Sequence, residues 1–124
     1  MSQSQQKFSV KFLVLAIIWA GIIYYLSSIP DLKSSFSSTV DLILRKGAHI
    51  FAYTILTYLL VKIFDKNTRI FLFFVIAIAI FYAWTDEFHQ LSVLGRSGSH
   101  KDILIDSVGV LGGVILYRWF NKEK

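Results

Sequence analysis

The sequence predicts an all-α fold, an integral membrane bundle of four transmembrane helices. Three observations carry that expectation. Apolar residues make up 55% of the chain and charged residues 17%, whereas a soluble domain has about 25% charged residues. The charges gather at the ends of long apolar runs instead of alternating with them, which points to lipid as the solvent. The stretches between the runs are short and rich in serine, glycine or charge. With 124 residues there is room for one small domain, and residues 1–124 read as one, with an N-terminal tail over 1–10.

The first apolar run carries no charge between Lys11 and Asp31, close to the roughly 20 residues a spanning helix needs. Pro30 closes it, because proline cannot continue the helical hydrogen-bond ladder and restricts the residue before it. Lys7 and Lys11 ahead of an apolar run resemble a secretory signal. The run is long for one, however, and Ser27-Ser28-Ile29-Pro30 is a poor cleavage site, so an uncleaved first span is expected. Ser34 to Ser38 reads as a loop, and Ser38-x-x-Asp41 as a capping box that opens a second helix running to about Phe64. Lys66-Asn67-Thr68 is long enough only for a hairpin turn. The third helix starts near Arg69 and stays uncharged until Asp86. Leu94 to Ser99 is a glycine-serine loop, and the fourth helix runs from His100 or Lys101 to about Phe120.

Composition excludes several functions. There is no cysteine, hence no disulfide, thiol nucleophile or thiolate metal site. The net charge of +5 would suggest nucleic acid in a soluble protein. Here the basic residues sit at segment ends without forming a stripe, so anchoring explains them and no nucleic-acid partner is expected. Lys7, Lys11, Lys62, Lys66, Arg69, Arg118, Lys122 and Lys124 fall on one side of the bundle. Lys33, Arg45, Lys46, Arg96 and Lys101 fall on the other. Eight against five predicts both termini in the cytoplasm. Trp84 and Trp119 suit interfacial belts.

Helices two, three and four each carry ionisable residues at the end predicted to face outward. At about 100° per residue, Lys46, His49 and Tyr53 share an arc of the second helix. Asp86, His89 and Gln90 share a face of the third, with Glu87 beside it. Asp102, Asp106, Gly109 and Gly113 line one stripe of the fourth, where Gly109-x-x-x-Gly113 allows close helix packing. Polar groups within spans are costly and usually face the bundle interior, so one outward-facing polar pocket between helices two, three and four is expected. Plainer readings exist for single members. Arg45 and Lys46 can snorkel to headgroups, His89 and His100 can be interfacial, Tyr53 can be core, and the glycines can serve packing alone. Asp106, a full turn inside its helix, and His49, a turn past Lys46, resist such readings. A buried Asp106 needs compensation, and Lys46 or Arg96 is the expected partner, which would leave His49 free for a ligand.

These segments resemble the VanZ-like family of small membrane proteins. Lys46-Gly47-Ala48-His49-Ile50-Phe51-Ala52-Tyr53 fits that family's Lys-x-x-His-x-x-x-Tyr pattern, and Asp86-Glu87-Phe88-His89-Gln90 fits Asp-Glu-x-x-Gln. The likeness continues through Gly95-Arg96-Ser97-Gly98 to Asp102 and Asp106 and covers roughly residues 40–115. Leu94 stands where the pattern has proline before Gly95-Arg96. The resemblance implies a multi-pass protein of the cell membrane. It singles out Lys46, His49, Tyr53, Asp86, Glu87, Gln90, Arg96, Asp102 and Asp106, and suggests a link to resistance against teicoplanin, a glycopeptide with a lipid tail.

Two functions compete. One is a surface-acting membrane protein that lowers the effect of lipid-tailed glycopeptides. The other is an enzyme acting on a lipid headgroup or cell-wall precursor, with His49 as general base or nucleophile, Asp86 or Glu87 as its partner, and Arg96 and Lys46 holding a phosphate or carboxylate. The expected partners are therefore membrane lipids and a lipid-linked precursor or lipoglycopeptide, with no cofactor. A metal centre at the acids and His49 is disfavoured because Arg45, Lys46, Arg96 and Lys101 offset their charge. A proton or solute path is disfavoured because helix one and the inner halves of the others lack ionisable residues.

Overall fold

A computed structural model of the chain describes residues 8–28, 38–92 and 101–121. Pro30, the serine-rich stretch 34–37 and the loop holding Arg96 lie outside the described residues, as do the side chains of Ser38, Asp41 and Lys101. The four helices are α1 Val10–Ser27, α2 Ser38–Phe64, α3 Arg69–Ser92 and α4 Lys101–Phe120. Each is long and apolar enough to cross a membrane.

Local chemistry sets the boundaries. Ser9 caps α1 by accepting the Phe12 amide at 3.3 Å, and its own amide donates to the Ile63 carbonyl at 2.8 Å. The start of α1 is thereby tied to the end of α2. At the far end Ser28 donates its amide to the Tyr24 and Tyr25 carbonyls, and the helix stops ahead of Pro30. Asp65 ends α2 in the left-handed region at φ 50°, a conformation that aspartate tolerates better than most residues. Its amide returns to Val61 at 2.9 Å, and its carboxylate accepts from the Tyr117 hydroxyl at 2.8 Å and the Lys62 ammonium at 3.4 Å. Thr68 then caps α3, accepting the Phe71 amide at 3.3 Å. Arg118 reaches back to Asn67 at 3.2 Å. The start of α1, the α2–α3 turn and the end of α4 therefore share one end of an up-down bundle.

Polarity runs opposite to that of a soluble protein. Ile17, Ile18, Phe73, Phe74, Phe81, Ile115 and Trp119 project outward, all more than half exposed, while Ser27, Thr57, Asp86, Glu87, Gln90 and Asp106 are buried. In lipid this is the low-energy arrangement, because hydrocarbon solvates apolar side chains and only the protein interior can satisfy polar ones.

The helices α2 and α3 touch every other helix, and α2 packs most extensively on α4. Among the described residues α1 and α4 do not meet. Helix α1 buries only Ala16, Ile23 and Ser27. It is fastened by the Trp19 indole donating to the Ala52 carbonyl at 2.8 Å and by Tyr82 donating its hydroxyl to the Ala20 carbonyl. The α2–α4 contact is closest at two glycines. A Cβ at Gly109 would stand 2.6 Å from the Ile50 carbonyl oxygen, and one at Gly113 would stand 2.6 Å from the Thr54 carbonyl oxygen and from the Thr57 Cβ. Thr54 uses the proximity to donate its hydroxyl to the Gly109 carbonyl at 3.0 Å.

Because backbone cannot yield as a flexible side chain does, Gly109→Ala and Gly113→Ala should each destabilise the bundle by about 1–3 kcal/mol. Gly21→Ala, where a Cβ meets nothing within 4 Å, should melt like the unaltered protein. Thermal melting in detergent checks this, and equal melting of all three variants would remove close packing as the role of the α4 glycines.

Candidate functional site

At the end opposite the α2–α3 turn, the polar residues form two connected sets. The first surrounds Asp86 of α3. Ser27 of α1 donates its hydroxyl to Asp86 Oδ1. Tyr53 of α2 and Gln90 of α3 donate to Oδ2 at 3.1 and 3.3 Å. Gln90 also donates to Ser27 Oγ at 3.2 Å. All four side chains are buried. One carboxylate thus joins three helices and accepts three donors, each bond to an ionised group contributing about 1.5–3 kcal/mol. Next to this set, Ser28 Oγ lies 2.9 Å from His89 Nε2, and the His89 ring stacks on Tyr24 at 4.2 Å between centroids.

The second set is a pair. His49 of α2 and Asp106 of α4 meet through Nδ1 and Oδ1 at 2.8 Å. The Asp106 side chain is 1% exposed and that of His49 17%. Asp106 Oδ2 is buried and accepts no hydrogen bond among the described residues. Beside an ionised Asp106, Nδ1 carries the proton and donates it, and in the neutral ring Nε2 then carries the lone pair.

A cavity of about 180 Å³ lies between α1, α2 and α3. Arg45, His49, Tyr53, Ser27 and Asp86 supply its polar lining, and Ile23, Leu26, Ala48 and Ala52 its apolar walls. Arg45 and His49 stand one turn apart on the same face of α2, so both border it. An apolar chamber with a few convergent polar groups has the general form of a small-molecule site.

Two expectations are corrected by this geometry. The pocket was expected between α2, α3 and α4. Among the described residues the cavity lies between α1, α2 and α3, while at Gly109 and Gly113 α4 lies directly against α2. The expected partner of Asp106 was Lys46 or Arg96, and the partner is His49. Lys46 points outward and is exposed, and Arg96 lies outside the described residues. His49 in turn pairs with Asp106 and not with Asp86, which is held by Ser27, Tyr53 and Gln90. Glu87 is buried at 1% exposure, and Asp102 is half-buried on the first turn of α4.

Sequence reasoning missed Ser27 and Ser28. Two adjacent hydroxyls at the end of an otherwise apolar run, level with the acids of α3, were the signal that could have found them. It also gave Arg45 no place in the pocket, although Arg45 repeats the His49 face one turn earlier.

The sequence profile of the VanZ/LLP1 family matches residues 12–121. The chain belongs to the VanZ/LLP1 family. The matched stretch takes in α1 from Phe12 onward, the other three spans, both polar sets and the cavity of this VanZ/LLP1 protein. No curated protein and no solved structure matches it.

The two acids should respond differently to truncation. Asp86→Ala strands three buried donors, each costing about 1–3 kcal/mol, while Tyr53→Phe removes one bond, worth about 0.5–1.5 kcal/mol. Asp106→Ala should cost less than Asp86→Ala, because His49 borders a cavity that water can enter. Unfolding free energies in mixed micelles give the order, and an Asp106→Ala variant weaker than Asp86→Ala would make the His49 pair the main structural tie.

Proposed function

We propose that this VanZ/LLP1 protein works at the outer face of the cell membrane, where its cavity takes up part of an amphiphile, and that it thereby lowers the effect of lipid-tailed glycopeptides of the teicoplanin type. The observation that carries this reading is the make-up of the cavity. Ile23, Leu26, Ala48 and Ala52 suit a hydrocarbon chain, while Arg45 and His49 suit an oxygen-rich polar part. A lipid-linked cell-wall precursor and a lipoglycopeptide both combine those features. In this reading Tyr53, Gln90 and Ser27 hold Asp86 as a rigid wall, and exposed Lys46 attracts anionic groups to the rim. Arg96 and Asp102 contribute from the α3–α4 side, and Glu87 supports the wall from α3.

The excess of lysine and arginine at the other end, eight against five, supports the outward direction. Both termini are then cytoplasmic. The chain has no cysteine of its own, so single cysteines report cleanly. Ser92→Cys should react with an impermeant thiol reagent on intact cells, and Asn67→Cys should react only after lysis. The opposite pattern reverses the orientation and ends the surface role.

The role itself is read from susceptibility. Expression in a Gram-positive host lacking the protein should raise the inhibitory concentration of a lipid-tailed glycopeptide and leave that of a tail-less one unchanged. Ala48→Trp, which fills the cavity from an exposed position, should abolish the difference. Full protection by that variant would show that the cavity plays no part.

A further inference from the structure

Asp86 and Asp106 are equally buried yet are treated differently by their surroundings. Asp86 accepts three hydrogen bonds, enough for a purely structural carboxylate. Asp106 accepts one, from His49, and its Oδ2 accepts none among the described residues. A carboxylate left with so much unshared charge in a low-dielectric interior gains most when its neighbour becomes an imidazolium. That neighbour lines the cavity, with Nε2 as its uncommitted ring nitrogen.

Depth identifies what can reach it. From Lys101 to Asp106 is about 8 Å along the α4 axis, at 1.5 Å per residue, and Ser27 on the cavity wall is the last residue of α1. With 20 residues, α4 is about 30 Å long, the thickness of the hydrocarbon core, so the pair lies in the outer third of that core, within reach of an acyl chain and ester drawn down into the cavity. The cavity also borders the lipid surface. Leu26 on its rim is 48% exposed, and Ala48 is exposed as well.

We propose that His49 is a general base for hydrolysis of a glycerolipid acyl ester lying in this cavity, with Asp106 as its positioning residue and Arg45 facing the oxyanion. The proposal rests on the reading that the cavity takes up an amphiphile. His49 Nε2 accepts a proton from water, and the resulting hydroxide adds to the ester carbonyl carbon. The carbonyl π pair moves to oxygen, where the Arg45 guanidinium meets it, while Asp106 stabilises the imidazolium. The intermediate collapses, the bond to the glycerol oxygen breaks, and that oxygen takes the proton back from Nε2. The products are a fatty acid and a lysolipid, and water is the only co-reactant.

The test uses the full chain purified in detergent, with dioctanoyl phosphatidylglycerol as substrate in heavy-oxygen water. Octanoate carrying the heavy oxygen is expected. His49→Gln should lower turnover by about 10²–10⁴-fold. Asp106→Asn should lower kcat with KM kept and change the pH–rate profile, which a merely structural role would not do. Ala48→Trp leaves the pair in place and should stop the reaction by filling the cavity. Undiminished hydrolysis in His49→Gln or in Ala48→Trp overturns the proposal. Binding of the dioctyl ether analogue, followed by its shift in melting temperature, separates the two readings. If the ether lipid binds and the ester survives, the catalytic proposal fails and uptake stands. If neither lipid is bound or cleaved, both fail.

Discussion

Water cannot solvate a carboxylate inside the hydrocarbon region, so every acid within this bundle depends on donors from other helices. That constraint organises the polar end of the molecule. Asp86 draws Ser27 from α1 and Tyr53 from α2 and uses Gln90 from its own helix. Asp106 draws His49 from α2. The hydrophobic effect does not hold the helices together here, since their outward faces are as apolar as lipid. Specific hydrogen bonds and close backbone contact do that work instead.

Close contact and pairing are coupled in α2 and α4. Gly109 follows Asp106 by one turn, and the atom nearest to its missing Cβ is the carbonyl oxygen of Ile50, the residue after His49. The short reach of the His49–Asp106 bond therefore depends on the absence of a side chain one turn away. At these two positions the helices are in direct contact, and among the described residues the cavity opens on the other side of α2, toward α1. A packing residue on one helix in this way influences which face of its neighbour borders open space.

Much of this was legible in the sequence. Four spans and the turn between α2 and α3 follow from charge-free run lengths and from the short polar stretch Lys66-Asn67-Thr68, both of which are local properties. The gathering of His49, Tyr53, Asp86, Gln90 and Asp106 at one end follows from spans that alternate in direction. The partners were not legible. Lys46 and His49 share an arc of α2, and spacing alone cannot say which of them turns to α4. Length and charge favoured the lysine, but lysine loses more by leaving water and can extend to the headgroups, whereas the short, planar imidazole fits where two helices nearly touch. The role of α1 was hidden for a related reason. Serine is only weakly polar by composition, and hydroxyls at a helix end carry no signal until the acid opposite them is known.

A division of labour between the two acids follows. Asp86 joins α1, α2 and α3 around the cavity, and its three donors leave it little capacity to respond to anything that enters. Asp106 stands behind α2, outside the cavity lining, and acts on the cavity only through His49. One acid gives the chamber rigid walls, and the other directs charge at the one ring that borders both the chamber and α4. The rigid acid supports the responsive one, because Tyr53 lies one turn beyond His49 on the same face of α2. Its bond to Asp86 fixes the rotation of α2, and with it the direction in which His49 projects. A chain of this size can thereby hold an imidazole at membrane depth in a defined direction, using Asp86 and Asp106 on two helices and the glycines that let α2 and α4 touch.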